Sequence, residues 1–213
     1  MTHALTRCAW RLSSVAVALT LGACGSLPLP DKPVRPDVYD FGPISSQHAS
    51  TPTGVPIALA QFESSRALDS TRMVYRLAYS DAQVPHPYAH ARWSMPPAQL
   101  LYQRVRSILA ESHPIVFVGE GYARIELRVE LDEFSQVFDS TSQSHGLVRA
   151  HVTALAPNNR GDRLMGQRSF AVQVPAPTAD APGGVKALTQ ASEQISRDIA
   201  QWVNALPQPS DKR

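Results

Sequence analysis

The chain has 213 residues, with 20 basic and 18 acidic side chains and a sequence pI near 8.7. Two of the basic residues, Arg7 and Arg11, lie in an N-terminal segment that we expect to be removed, so the rest of the chain is close to neutral. Because no basic stripe runs along the sequence, the pI is no indication of nucleic-acid binding. The remaining length is enough for one domain with a substantial core.

Residues 1–23 are predicted to be a signal peptide. Arg7 and Arg11 precede an apolar run of about ten residues, which suits a secretory signal and is about half of what a membrane-spanning helix needs. The run ends in Leu21-Gly22-Ala23-Cys24, which resembles a bacterial lipobox. In such a box the small residues fit the peptidase and the thiol accepts a diacylglyceryl group. The alternative is a chance cysteine in an ordinary signal peptide.

Cleavage before Cys24 would leave this residue at the N-terminus, acylated on its sulfur and its amine with chains of the palmitate type. Two or three acyl chains, at about 0.8 kcal/mol per buried methylene, make such an anchor effectively permanent. The other cysteine, Cys8, falls in the signal peptide, so the mature chain has no disulfide to form. Gly25 and Ser26 follow Cys24 without the aspartate that commonly retains lipoproteins in the inner membrane. We therefore expect the periplasmic face of the outer membrane.

Residues 24–38 are predicted to be a lipidated, proline-rich tether. Its prolines favour an extended conformation of about 3.1 Å per residue, which allows a reach of roughly 45 Å from Cys24. The folded domain is expected over residues 39–206 and a frayed tail over residues 207–213.

The first predicted elements are two short strands at residues 55–62 and 73–79, both rich in β-branched or aromatic side chains. The polar stretch between them is expected to be a loop. A helix is predicted from Pro96 and Pro97 to about Glu111, because prolines are accepted in a first turn and apolar residues follow at helical spacing.

Residues 124–132 alternate strictly between charged and apolar side chains, which predicts a strand with one buried and one wet face. The alternation slips at Asp132 and Glu133, which indicates a β-bulge before Phe134. Strands at residues 147–155 and 163–174, joined through residues 158–161, are expected to form an antiparallel hairpin. The inward side chains of these two strands are predicted to be Val148, Ala150, Val152, Ala154, Phe170, Val172 and Val174.

The last predicted element is a long amphipathic helix that covers one face of the sheet. Its apolar residues, at helical spacing, are Val185, Leu188, Ile195, Ile199, Trp202 and Leu206. Together the elements predict an α/β or α+β sandwich, in which a mixed, partly antiparallel sheet packs with two main helices.

No catalytic motif was found in the sequence, and we expect neither enzyme activity nor a metal or other cofactor beyond the covalent lipid. His86 and His90 have a ligand-like spacing, but Pro87 between them argues against the helix that would stack them, so they are expected to be solvated loop residues. The carboxylates of the alternating strand are expected to form a charge ladder with Arg124 and Arg128. They are Glu126, Glu130, Asp132 and Glu133.

Residues 88–97 gather aromatic and arginine side chains just before the first helix, a combination that protein interfaces favour. We therefore propose Tyr88, Arg92 and Trp93 as candidate partner-interface residues, together with Tyr75 and Arg76. The alternative is that Tyr88 and Trp93 pack onto the sheet with Arg92 stacked across them. The sequence leaves the two interpretations open.

These segments, taken in order, resemble the ABC-type transport auxiliary lipoproteins, a family that includes paraquat-inducible protein C. Phe41 stands where the family more often has leucine. The matching stretches are Tyr39-Asp40-Phe41-Gly42-Pro43, Arg72-Met73-Val74-Tyr75-Arg76, Tyr88-Ala89-His90-Ala91-Arg92-Trp93 with Pro96-Pro97, Glu130-Leu131-Asp132-Glu133-Phe134-Ser135-Gln136-Val137-Phe138, and the helix ending near Trp202.

The resemblance implies a periplasm-facing lipoprotein that works with ABC transporter subunits and an MCE-domain protein, in systems that move lipids between the two membranes and maintain membrane integrity. It also implies a fold like the N-terminal domain of TolB, and it supplies no catalytic residues. ATP would be hydrolysed by another subunit. The second hypothesis is a structural envelope lipoprotein that binds another envelope protein without a transport role, and a lipid-anchored hydrolase ranks last. The lipid carried, the direction of transport and a homo-oligomeric state are left open.

Overall fold

The computed structural model describes residues 34–43, 51–158 and 161–207. The predictions on the signal peptide, on Cys24, on most of the tether and on the tail after residue 207 lie outside the described residues. The described elements are β1 (Asp37–Tyr39), β2 (Ile57–Leu59), β3 (Glu63–Ser64), β4 (Arg72–Leu77), β5 (Asp81–Trp93), α1 (Pro97–Ala110), β6 (Ile115–Val116), β7 (Ile125–Phe138), β8 (Ser144–Ala156), β9 (Arg163–Pro175) and α2 (Ala181–Asn204).

The strands form one mixed sheet built around β7. Along one side of β7 runs the antiparallel pair β8 and β9. The other side is shared by three parallel strands, with β2 at its start, β3 at its middle and β4 at its end. Beyond β4 lie β5 and β1, and beyond β2 lies β6. The predicted fold class, a mixed and partly antiparallel sheet packed with two helices, is confirmed.

The alternating pattern of β7 explains its central place. Its apolar side chains are buried beneath the helices, and the predicted bulge is present between Leu131 and Glu133. Because the bulge adds one residue, Asp132 and Glu133 both lie on the face away from the helices, whereas Phe134 returns to the helical face. The bulge therefore places a carboxylate where a strictly alternating strand would have put an inward residue.

Both helices pack on one face of the sheet and leave the other face largely uncovered. The apolar stripe of each helix forms the core with the inward residues of β7 and β8. No helix within the described residues is long and apolar enough to span a membrane. The fully buried helix residues are Leu101 and Leu109 of α1, and Leu188, Ile195 and Ile199 of α2.

Two predictions about the first strands were wrong in detail. Of the strand expected at residues 55–62 only Ile57–Leu59 forms a strand, β2, and β3 lies in the polar stretch expected to be a loop. The registers of β2 and β3 on β7 differ by one residue: Ile57 lies opposite Ile125 and Glu63 opposite Glu130. The second correction concerns His86 and His90, which lie in the long strand β5 and not in a loop.

The prolines of β5 explain why its sequence did not indicate a strand. Pro85 and Pro87 cannot donate a backbone hydrogen bond, so proline normally argues against a strand interior. β1 covers only the last three residues of β5, from Ala91 to Trp93. The earlier part of β5 therefore lies at the sheet edge within the described residues, where a missing N–H leaves no ladder incomplete.

Helix α2 is capped at its N-terminus by Asp180, whose carboxylate accepts hydrogen bonds from the Gly183 N–H at 2.8 Å and from the Thr178 hydroxyl at 2.6 Å. The Thr178 hydrogen bond, followed by that of Gly183, holds the pKa of the Asp180 carboxyl below its ordinary value of 3.8. A carboxylate in this position satisfies an otherwise unpaired N–H of the first helical turn.

We expect Asp180→Ala to lower the free energy of unfolding by about 1 kcal/mol at neutral pH, the usual cost of losing such a cap. Since the folded-state pKa is lowered, the stabilisation is present above pH 3.8 and is lost as the pH falls through the folded-state value. Urea denaturation of parent and variant at several pH values measures this. Asp69→Ala, at an exposed loop carboxylate, is the control. A difference that stays constant down to pH 2 would contradict the assignment.

Candidate functional site

The five candidate interface residues fall into four different environments. Trp93 lies in the core with 1% of its surface exposed. Its ring packs edge-on against Phe134, with centroids 5.5 Å apart, and against Phe41 at 5.9 Å. Such aromatic contacts stabilise a core beyond simple burial. The structure thus supports the packing alternative for Trp93, which has almost no surface to offer a partner.

Tyr75 and Tyr88 form a half-buried aromatic cluster on the helical face of β4 and β5. Their ring centroids are 4.7 Å apart, and Tyr75 also contacts His86 at 5.2 Å and Phe138 at 5.6 Å. The Tyr88 hydroxyl donates a hydrogen bond of 2.8 Å to Oε1 of Gln136. Burial, and then the neighbouring Tyr75, raises the pKa of the Tyr88 hydroxyl. Tyr88 therefore keeps its proton and acts as a fixed donor, while the ring edges of the cluster stay partly accessible.

Arg76 holds the β4–β5 hairpin to β7. Its guanidinium lies 3.2 Å from a carboxylate oxygen of Glu133 and donates to the backbone oxygens of Ala82 at 3.2 Å and Gln83 at 3.4 Å. Glu133 can pair with Arg76 because the bulge places its side chain on the same face of the sheet, away from the helices. Sequence reasoning identified Arg76 and the bulge separately but not the ion pair between them, since the two residues are 57 positions apart.

Arg92 is exposed on the uncovered face of the sheet, directly opposite Arg72 in the β4–β5 register. On its other side lies Val38 of β1, which is 54% exposed. Within the described part of the chain neither arginine forms an ion pair. The side chain of Arg72 donates a hydrogen bond only to the Ser70 hydroxyl. Arg72 was not among the predicted site residues, because only the strand register brings it beside Arg92.

A groove beside Arg72 runs over the same face between β4, β5 and the bulge of β7. We call it the arginine groove, and its volume is about 150 Å³. Its floor is apolar and its walls are charged. The residues that line it are Ser65, Ala67, Leu68, Arg72, Val74, Arg76, Pro85, Pro87, Asp132 and Glu133.

The carboxylates and histidines of the described residues show no arrangement typical of a metal site, and Glu126 is held in an ion pair. Glu126 is buried and accepts a 2.8 Å bond from Arg128, which also reaches Asp162 at 3.4 Å. Its burial departs from the wet face predicted for this strand. In the part of the chain that the structure describes, no three histidine, cysteine, aspartate or glutamate side chains lie together as a metal site would require.

Comparison with known proteins gives a family and a fold. The family model described as "ABC-type transport auxiliary lipoprotein component" matches residues 39–200. No curated protein matches the chain. A crystal structure of a Xanthomonas campestris protein of family DUF330 is similar at 20% identity and a TM-score of 0.65, covering 78% of this chain and 94% of that one. That of an uncharacterized protein is similar at 15% identity and a TM-score of 0.61, covering 79% and 99%.

Proposed function

Because this chain belongs to the family of ABC-type transport auxiliary lipoprotein components, we propose that it is the lipid-anchored accessory subunit of an intermembrane lipid transport system. In this proposal it docks the conduit of an MCE-domain protein at the outer membrane and works with the ABC transporter subunits of the same system. The observation that carries the proposal is the family match over residues 39–200, which begins at β1 and extends into the last turns of α2. The whole folded domain is therefore the family's domain.

The proposed role is docking and not catalysis. Of the four carboxylates of the alternating strand, Glu126 and Glu133 are engaged in ion pairs. An auxiliary subunit needs instead a surface that a partner can recognise, and interfaces favour tyrosine and arginine. The partly accessible cluster of Tyr75 and Tyr88 supplies such groups on the helical face of β4 and β5, and the exposed Arg92 supplies one on the uncovered face.

The anchor gives the domain its place. As a member of a lipoprotein family the chain belongs to the cell envelope, and we propose that acyl chains on Cys24 hold it at the periplasmic face of the outer membrane. Residues 25–36, which carry four prolines, would then act as a spacer.

We expect an MCE-domain protein and ABC transporter subunits to co-purify with the full-length acylated chain when it is cross-linked in cells and purified in detergent. The measurement is mass spectrometry of the purified complex, together with density-gradient separation of the two membranes. A Cys24→Ser chain, which cannot accept the diacylglyceryl group, is the control and should leave the outer-membrane fraction. Recovery of the acylated chain from the outer membrane with neither partner would refute the proposed function.

A further inference from the structure

Arg72 and Arg92 are an unfavourable pair in the free domain. Residues directly opposite on antiparallel strands have their Cβ atoms about 5 Å apart, and like charges in that position are destabilising. Within the described residues neither arginine forms an ion pair, although the carboxylate of Asp132 lines the same groove as Arg72. Four other arginines of the domain are paired with carboxylates, as Arg104 is with Glu193 at 3.1 Å. An anionic group placed between Arg72 and Arg92 would remove the repulsion and gain two attractions.

The groove that begins at Arg72 is too small for most ligands. Its volume of about 150 Å³ holds roughly five water molecules, whereas sites for drug-sized molecules span about 300–1,000 Å³. The groove is too small to enclose an acyl chain or a nucleotide, but it can enclose one large apolar side chain. The floor that would receive it consists of Leu68, Val74, Pro85 and Pro87.

Two of the charged residues in the groove walls already form an ion pair. Arg76 and Glu133 neutralise each other, so this pair shapes the groove but adds no net charge. The other charges at the groove are the carboxylate of Asp132, which also lines it, and the guanidinium groups of Arg72 and Arg92, so the net charge that remains is positive. A complementary ligand therefore has its negative charge and its apolar group on neighbouring positions, as a peptide segment with acidic residues beside an apolar one does.

We propose that the arginine groove and Arg92 bind an acidic segment of a partner protein. Carboxylates of the segment pair with Arg72 and Arg92, and one apolar side chain enters the groove beside Val74 and Pro87. This inference rests on the proposed function in one respect, since it names the contact by which the accessory subunit holds its transport partner. It commits to a protein because the groove can enclose one side chain but not the acyl chains that come with a phospholipid headgroup.

The first test needs no transport partner. The purified acylated chain in detergent is titrated with a fluorescent peptide of four glutamates flanking one leucine, and binding is followed by anisotropy. We expect Arg72→Glu/Arg92→Glu to weaken binding at least tenfold, and 0.5 M salt to weaken it as well. Arg106→Glu/Lys186→Glu, the same change in net charge at exposed positions of α1 and α2, is the matched control and should bind as the parent does.

Two further probes separate the parts of the proposal. A peptide with serine in place of leucine should bind more weakly if the groove holds a side chain, and soluble dihexanoyl phosphatidylglycerol should not compete at equal charge. Equal binding by the double variant and the parent, no preference for leucine, or effective competition by the lipid would each overturn the inference. Thermal melting shows whether the variants fold, and Arg92→Gln, which removes the repulsion, should melt no lower than the parent.

Failure of this inference differs from failure of the proposed function. If the MCE-domain protein co-purifies in equal amounts with the parent and with Arg72→Glu/Arg92→Glu, the groove is not the contact, although the accessory role stands. If no partner co-purifies with the parent but the parent binds the acidic peptide through the groove, the binding surface is supported and the transport role is refuted.

Discussion

Gly146→Ala is expected to lower the free energy of unfolding by about 3 kcal/mol, at the upper end of the usual cost of overpacking. Gly146 lies in β8 under helix α2. A Cβ at this position would be 2.7 Å from the backbone nitrogen of Leu188 and 2.8 Å from the carbonyl carbon of Ala187. Because both are backbone atoms, no side-chain rotation can relieve the contact, and the helix would have to move away from the sheet.

That movement would be costly because α2 contacts β7, β8 and β9 together. For a domain of this size each kcal/mol corresponds to roughly 2–4 °C, so we expect the melting temperature to fall by roughly 6–12 °C. Thermal and urea denaturation measure the effect. Gly166→Ala in β9 is the matched control, since its Cβ would meet only side-chain atoms, at 3.4 Å from Trp202 and 3.5 Å from Leu206. Equal losses in both variants would attribute the effect to glycine in a strand and not to the approach of the helix.

Elements with a regular side-chain period were predictable from the sequence. The strict alternation in β7 and the 3.6-residue spacing in α1 and α2 result from burial of one face, so they appear in the residues themselves. The slip at Asp132 and Glu133 correctly indicated the bulge, and the hairpin of β8 and β9 is confirmed. These elements form most of the core.

Elements held by non-local pairing could not be predicted in the same way. The strands β2, β3 and β6 have two or three residues each, too few to show a period. Their conformation depends on β7 or on each other, across long stretches of chain. Strand β5 has the length but carries prolines that are acceptable only at an edge, and an edge is a property of the assembled sheet.

The candidate site was only partly predictable, for the same reason. Residue type alone indicated Tyr88, Arg92 and Trp93 as interface residues, because aromatic and arginine side chains serve both interfaces and cores. The structure separates them by face: Trp93 points to the helices and Arg92 to the uncovered side. Arg72 was missed because its importance comes from lying opposite Arg92, and a register with two irregularities cannot be read from the sequence.

Trp93→Ala is expected to be more damaging still, with a loss of about 3–5 kcal/mol, because it removes a fully buried ring. The indole completes a cluster in which Phe41 and Phe134 also contact each other, at 6.1 Å, so its loss leaves a cavity that neither neighbour can fill without breaking the other contact. Urea denaturation followed by circular dichroism measures the change.

Arg92→Ala, one residue earlier and exposed, should remain within about 0.5 kcal/mol of the parent. Since the two residues are adjacent but face opposite sides, reduced partner binding by Arg92→Ala at unchanged stability would locate recognition on the uncovered face. A Trp93→Ala chain that folds as stably as the parent and loses only partner binding would instead make Trp93 an interface residue.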